Sequence, residues 1–204
     1  MSMIVLDPFE VRELIGRREV SGADRFDEVW DGVYVVSPLP NDEHQDLVGN
    51  FQFAFMATVT LTGLGLVRPG VNVSDRDERW EHNYREPDVA VFLAGTSARN
   101  RGTHWVGGPD FAVEIVSRYD RSREKLAFYA GVGVRELLLV DRLPWALELY
   151  RLAGGALVLV GTSTVDGPAI LASEVLPLTF RLVAGEPRPR VEVAHADGVQ
   201  RWSV

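Results

Sequence analysis

Two short apolar runs in this sequence each carry one carboxylate where a carboxylate is costly. Residues 88–93 read Asp-Val-Ala-Val-Phe-Leu, entered through Pro87, and residues 111–117 read Phe-Ala-Val-Glu-Ile-Val-Ser. Both have the length and composition of strands buried inside a sheet. An ionised Glu114 left unpaired in such a strand costs several kcal/mol. It must pair with a base, bind a cation or face a solvated cleft. If the two strands are neighbours, Asp88 and Glu114 converge on one spot. Two carboxylates so placed make a site for Mg²⁺ or a similar hard cation, completed by substrate phosphate. Plainer alternatives stand beside this one: Asp88 opens a strand from a turn, and Glu114 pairs with an arginine on an exposed sheet face.

The rest of the chain supplies a frame. Asp7-Pro8 starts a helix, with Asp as N-cap and Pro at the first helical position. That helix is expected to reach about Arg18, with Phe9, Leu14 and Ile15 inward. Asp31-Gly32, between residues 25–30 and 33–37, signals a tight hairpin because both turn positions need positive φ. Asn41 caps a second helix, expected to about Thr58, with Leu47, Val48, Phe51 and Phe55 at helical spacing. Residues 63–74 read as one or two strands, 74–84 as a polar loop and 94–109 as a long connection. Asp120 is expected to open a third helix stopped by Gly131. Residues 135–140 form a buried-type strand. Residues 147–152 and 156–160 read as a hairpin across Gly154-Gly155, and 191–204 as a last hairpin around Asp197-Gly198. This order predicts an α/β (α+β) fold with a central sheet flanked by few helices. Residues 1–160 form the body, with 161–204 as a β-rich C-terminal extension of the same domain.

Composition removes several classes of chemistry. The 204 residues hold 29 acids against 21 lysines and arginines, a formal net charge of -8. Such a chain does not coat nucleic acid through bulk charge; contact requires a local basic patch or metal ions. With no cysteine, disulfides, Cys-ligated zinc and thiol catalysis are excluded. His82, His104 and His195 lack zinc-ligand spacing, and the GxG pairs at 63–65 and 131–133 extend to no dinucleotide or P-loop fingerprint. No organic cofactor is expected, and no G-x-S-x-G elbow supports a serine hydrolase. Trp80, Trp105 and Trp145 are read as packing or interface residues rather than base-stacking platforms. The opening MSMIVLDPFEV has no basic leader, and no apolar run nears membrane-spanning length. The expected compartment is the cytoplasm, with no membrane partner.

The base within reach of Glu114 is Lys125, expected in the first half of the helix after the Glu114 strand. The segment 118–125 is locally basic, with Arg118, Arg121, Arg123 and Lys125 against Asp120 and Glu124. An acidic protein needs such a patch to hold a phosphate backbone. The plainer alternative is a solvated helix face with local ion pairs.

Taken in order, these residues resemble a known family. Residues 86–91 (EPDVAV), residues 111–117, Asp120, Lys125, Tyr129, residues 130–132 (AGV) and residues 136–141 (ELLLVD) are similar to the Uma-type restriction endonuclease family of the PD-(D/E)xK nuclease superfamily. Asp31-Gly32, Ser37-Pro38 and His44 fit it too, so the resemblance covers about residues 5–152. It implies a restriction-endonuclease-like mixed sheet and metal-dependent hydrolysis of phosphodiester bonds in DNA. By this resemblance Asp88 is the Asp of the PD element and Glu114 the acid of the (D/E)xK element. The lysine two places on is absent, since that position is Val116; Lys125 matches a lysine displaced to the following helix. Asp88, Glu114 and the Ile115 carbonyl would hold Mg²⁺ or Mn²⁺. Lys125 would orient the attacking water or stabilise developing charge, and His44 would contact phosphate or assist proton transfer. Arg118, Arg121 and Arg123 would bind DNA. The family often has Glu after the hairpin glycine; here that position is Val33, with Glu28 on the partner strand as an acidic neighbour. Tyr129 shares the Lys125 face, as a support for the lysine or as core.

Two rivals remain open on the sequence. One is a nuclease-fold module that binds or regulates without cutting, consistent with the negative charge and the valine at 116. The other is an unrelated β-rich oligomer whose acids pair with arginines. The β-rich stretch after Gly161 suggests an edge in need of cover, and so a homodimer.

Overall fold

A computed structural model describes residues 3–4, 8–117 and 121–204. The chain begins with β1 (Met3–Ile4), α1 (Pro8–Ser21), β2 (Glu28–Trp30), β3 (Val33–Val36) and α2 (Asp42–Phe55). There follow β4 (Gly65–Pro69), β5 (Val73–Ser74), β6 (Tyr84–Arg85), β7 (Val89–Leu93), β8 (Arg99–Asn100) and β9 (Trp105–Val106). Next come β10 (Phe111–Val116), α3 (Leu126–Gly131), β11 (Glu136–Arg142), β12 (Trp145–Ala153) and β13 (Ala156–Thr164). The chain closes with β14 (Leu171–Ala172), β15 (Leu178–Val183), β16 (Arg190–His195) and β17 (Arg201–Ser203).

These strands make three sheets. The central one has the order β13-β12-β11-β10-β7-β4, with β10 and β11 parallel and the other neighbours antiparallel. A sheet of short strands runs β1-β3-β2-β6-β5-β9-β8, and the C-terminal sheet runs β14-β15-β16-β17. The fold is therefore mixed α+β with few helices, as the element order predicts.

Side-chain alternation along β10 assigns its two faces. Phe111, Val113 and Ile115 turn to the main core with α2 (Leu47, Phe51, Phe55) and the C-terminal sheet (Phe180, Val191, Val193). Ala112 and Val116 turn to the other core with Tyr129 and Ala130 of α3. Glu114 has the parity of this second face. The β7–β10 register pairs Val89 with Val113 and Ala90 with Ala112. Continued by one residue, it sets Asp88 opposite Glu114. Period-two geometry alone thus brings the two acids to one edge of one face.

Several boundaries differ from the sequence expectation. α1 runs on to Ser21, and its expected cap, Asp7, lies outside the described residues. The expected helix start at Asp120 also falls outside them. After that gap a 3₁₀ turn spans Ser122–Lys125 and the α-helix begins only at Leu126. The turn is closed by Glu124 N–H donating to the Arg121 carbonyl at 2.8 Å and by an Arg121–Glu124 ion pair. An i,i+3 pair suits the eclipsed side chains of a 3₁₀ turn. α2 continues past Phe55 as a π-helical stretch, Met56–Thr60. The 74–84 loop holds a 3₁₀ turn, Trp80–His82, and the 94–109 connection carries β8 and β9. The division drawn at residue 160 falls within β13, and the strands after it share the main core. Among the described residues no helix is long and apolar enough to cross a membrane.

Candidate active site

The hairpin, the start of α2, the residues leading into β7, strand β10 and the turn before α3 line an open cavity of about 860 Å³. His44, Glu28, Glu86, Asp88, Glu114 and Lys125 all line it. The hairpin is set by Asp31 and Gly32, whose φ values of 50° and 85° meet the requirement read from Asp-Gly. Asn41 caps α2 by accepting from the His44 N–H at 3.0 Å. That cap fixes His44 in the first turn, where its Nε2 lies 3.2 Å from Asp88 Oδ1. The other Asp88 oxygen, Oδ2, accepts from the Ile115 N–H at 2.6 Å. Asp88 thus bridges α2 and β10. His44 Nδ1 is buried without a hydrogen-bond partner.

Glu114 is 3% exposed. Tyr129 donates its hydroxyl to Oε1, and Lys125 Nζ lies 3.2 Å from Oε1 and 3.1 Å from Oε2. Ser122 Oγ donates to Oε2 at 3.4 Å. Burial pushes the Glu114 carboxyl well above the ordinary carboxylate range. Lys125 opposes that rise, and the neighbouring Asp88 and Glu28 add to it. The Tyr129 hydroxyl is likewise pushed far up by burial and by Glu114.

Lys125 also reaches a third carboxylate, with Glu28 Oε1 2.9 Å away. Glu28 accepts from Trp30 Nε1 at 2.7 Å and from the Glu86 N–H at 2.8 Å. Glu86 is pushed up to about 7 by burial and then by repulsion from Glu28 and Asp88. Glu28, Glu86, Asp88 and Glu114 therefore share this cavity with Lys125 and Arg25, while the Arg121 and Arg142 that also line it are paired with Glu124 and Glu43. The crowding leaves the anionic forms under-compensated.

The structure brings together Asp88, Glu114, Lys125 and His44, with Ile115 lining the same cavity. Lys125 closes the 3₁₀ turn rather than sitting within a helix, which corrects the expected placement. Tyr129 is a buried core residue that also holds Glu114. The three arginines proposed to bind DNA separate. Arg121 lines the cavity, paired with Glu124, its guanidinium 4.5 Å from the centre of the Trp30 ring. Arg123 lies outside the cavity lining and pairs with Asp141 and Glu148 at 3.0 and 2.9 Å. Arg118 lies outside the described residues. Trp105 stacks on Phe92 and Trp80 on His104, while Trp145 lines the cavity.

Sequence reasoning missed Glu86, although it adjoins the Pro87-Asp88 element; nothing in its spacing announces that it turns inward. It also missed Arg142, which lines the cavity rim and bonds to Asn41, Glu43, Ser117 and the Val116 carbonyl.

The model of the Uma2 family, described as "Putative restriction endonuclease", matches residues 17–185. The chain belongs to this family. A crystal structure described as a "putative nuclease belonging to DUF820", from Anabaena variabilis ATCC 29413, is similar to it in fold. The TM-score is 0.57 and the identity 17%, with 72% of this chain and 80% of that chain covered. A comparison with curated proteins finds no match. Two places after Glu114 this chain carries Val116, and the ammonium that lies beside Glu114 is that of Lys125.

Proposed function

We propose that this chain hydrolyses phosphodiester bonds in DNA with the help of Mg²⁺ or Mn²⁺. The observation that carries the reading is the meeting of Asp88, Glu114, Lys125 and His44 in one cavity. The donor chemistry fits a hard cation. Under-compensated carboxylates in a desolvated pocket gain more from a dication than from another hydrogen bond. Among the described residues no three His, Asp or Glu side chains are grouped so as to hold a metal ion; the ion would rest on Asp88 and Glu114, with water and phosphate in its other positions.

Asp88 and Glu114 would hold the ion, with the Ile115 carbonyl beside them. When bound, it would lower the pKa of a water and neutralise phosphate charge. Asp88 is kept in place by the Ile115 amide and by His44. Lys125 presents an ammonium beside Glu114, suited to orienting a nucleophilic water or stabilising the developing oxyanion. His44 stands within reach of Asp88 through Nε2 and would steady that carboxylate or assist proton transfer there. Arg121 would contact the DNA backbone. The test is plasmid cleavage with Mg²⁺ or Mn²⁺, compared with EDTA. Cleavage that needs the metal and falls at least about 100-fold in Asp88→Asn supports the reading. Metal-independent binding without cleavage supports an inert module instead.

A further inference from the structure

Among the described residues, Glu28 and Glu114 both lie within ion-pair distance of Lys125, and they are not equivalent. Glu114 is the one opposite Asp88, so its oxygens are those a cation would recruit. Glu28 is tied down from elsewhere: Trp30 Nε1 donates to its Oε2 and the Glu86 N–H to its Oε1. It is 2% exposed, stands on β2 of the short-strand sheet, and makes the shorter contact to the ammonium, 2.9 Å against 3.1 and 3.2 Å. A lysine at position 116 would be aimed by its own strand, on the face of Glu114. Lys125 instead arrives on a flexible four-carbon stem from the end of a 3₁₀ turn, with many rotamers open to it. A displaced lysine therefore needs an anchor that its own backbone does not supply.

We propose that Glu28 is the positioning residue for Lys125. It keeps the ammonium beside Glu114 when the Glu114 oxygens turn to a divalent cation. Glu28 itself touches neither the ion nor the substrate. The inference rests on the pocket being a divalent-dependent hydrolytic site, but its first test does not depend on cleavage.

That test is the side-chain ammonium NMR signal of Lys125 in ¹⁵N-lysine-labelled protein with Mg²⁺, assigned by its loss in Lys125→Gln. Wild type is expected to give a resolved, slowly exchanging ammonium. Glu28→Gln is expected to lose it to solvent exchange while the backbone amide spectrum keeps its dispersion. Trp30→Phe keeps the ring and the Glu28 charge but removes one tether; it covers the case in which Glu28→Gln does not fold, and is expected to broaden the signal. In cleavage, Glu28→Gln should lower kcat about 10–100-fold, the usual cost of losing a supporting partner. KM should be unchanged, and the substitution should add nothing on a Lys125→Gln background. Mn²⁺ affinity should fall less than tenfold, as expected for loss of a nearby charge rather than of a ligand. An ammonium signal that persists in Glu28→Gln, or a tenfold loss of Mn²⁺ affinity there, overturns the assignment. A wild type that cleaves nothing sinks the hydrolytic reading, while the ammonium signal still decides the role of Glu28.

Discussion

Glu114 and Glu136 sit on neighbouring parallel strands, β10 and β11, and both are buried. Their surroundings differ. Glu136 accepts from Arg151 Nε at 2.8 Å, from the Ser173 hydroxyl and from the Glu174 N–H at 3.1 Å. One guanidinium, shared with the exposed and solvated Glu174, together with one hydroxyl and one amide, answers one buried carboxylate, and the result ties the segment after β14 to the central sheet. Glu136 is absent from the cavity lining. Glu114 shares its lysine with Glu28, faces Asp88, and opens into the cavity. Burial of an acid in a strand therefore marks no function by itself. What separates the two is charge balance: Glu136 is neutralised where it stands, and Glu114 sits in a cluster that needs more positive charge.

The sharpest way to break this contrast is to make the same substitution twice. Glu136→Gln strands Arg151 without its buried carboxylate and is expected to cost about 2–3 kcal/mol, discounted because Arg151 is partly exposed. Glu114→Gln removes an under-compensated charge and is expected to change stability by less than about 1 kcal/mol. It should nonetheless lower metal-dependent cleavage at least about 100-fold. Urea denaturation and plasmid cleavage of both variants check this, and equal stability losses would erase the distinction.

The next effect concerns Glu86, on the Glu114 side of the comparison. Its carboxyl rises from 4.5 to about 7 on folding. The native state then holds the extra proton, so the contribution of Glu86 to stability is fully present below the ordinary carboxylate range and is lost as pH climbs through about 7. Glu86→Gln is expected to match wild type near pH 4 and to be about 1–3 kcal/mol more stable at pH 8, measured by denaturation at both values.

Gly70 backs that same acid. Its φ is +50°, and a Cβ there would lie 2.6 Å from Glu86 Oε1. Gly70→Ala is expected to destabilise by about 1 kcal/mol, mainly through the left-handed backbone, since the Glu86 carboxylate is able to swing aside. A thermal melt reads this loss. The smallest effect is expected at Arg123, whose partners lie outside the cavity. Arg123→Ala should change stability by less than about 1 kcal/mol and leave DNA cleavage as in wild type, whereas Arg121→Ala should raise KM. Similar cleavage defects in both would return Arg123 to the site.

The convergence of Asp88 and Glu114 was legible as a condition: strand alternation puts both acids on one face once β7 and β10 pair, and the pairing of Val89 with Val113 comes from the fold. Lys125 was legible because a buried glutamate demands a cation, the following segment is basic, and the family resemblance matches a lysine there. The Asn41 cap and the Asp31-Gly32 turn were legible as local chemistry. Glu86 was not, because its inward turn depends on the Glu28 carboxylate meeting its amide across 58 residues. The Glu136 lock was not, because Ser173 lies 37 residues away in a loop. The two-residue strands β5, β6, β8 and β9 were missed as elements, since two residues carry no period. The start of α3 was misplaced because Arg121 and Glu124 favour a 3₁₀ turn that helix propensity alone does not predict.

The central claim is that the pocket acids hold a divalent ion. Calorimetric titration of Mn²⁺ into wild type, Asp88→Asn and Glu114→Gln tests it most directly. The account predicts one site per chain in wild type, weakened at least tenfold in each variant, with both variants folded. No heat of binding in wild type, or an affinity untouched by both substitutions, would contradict it.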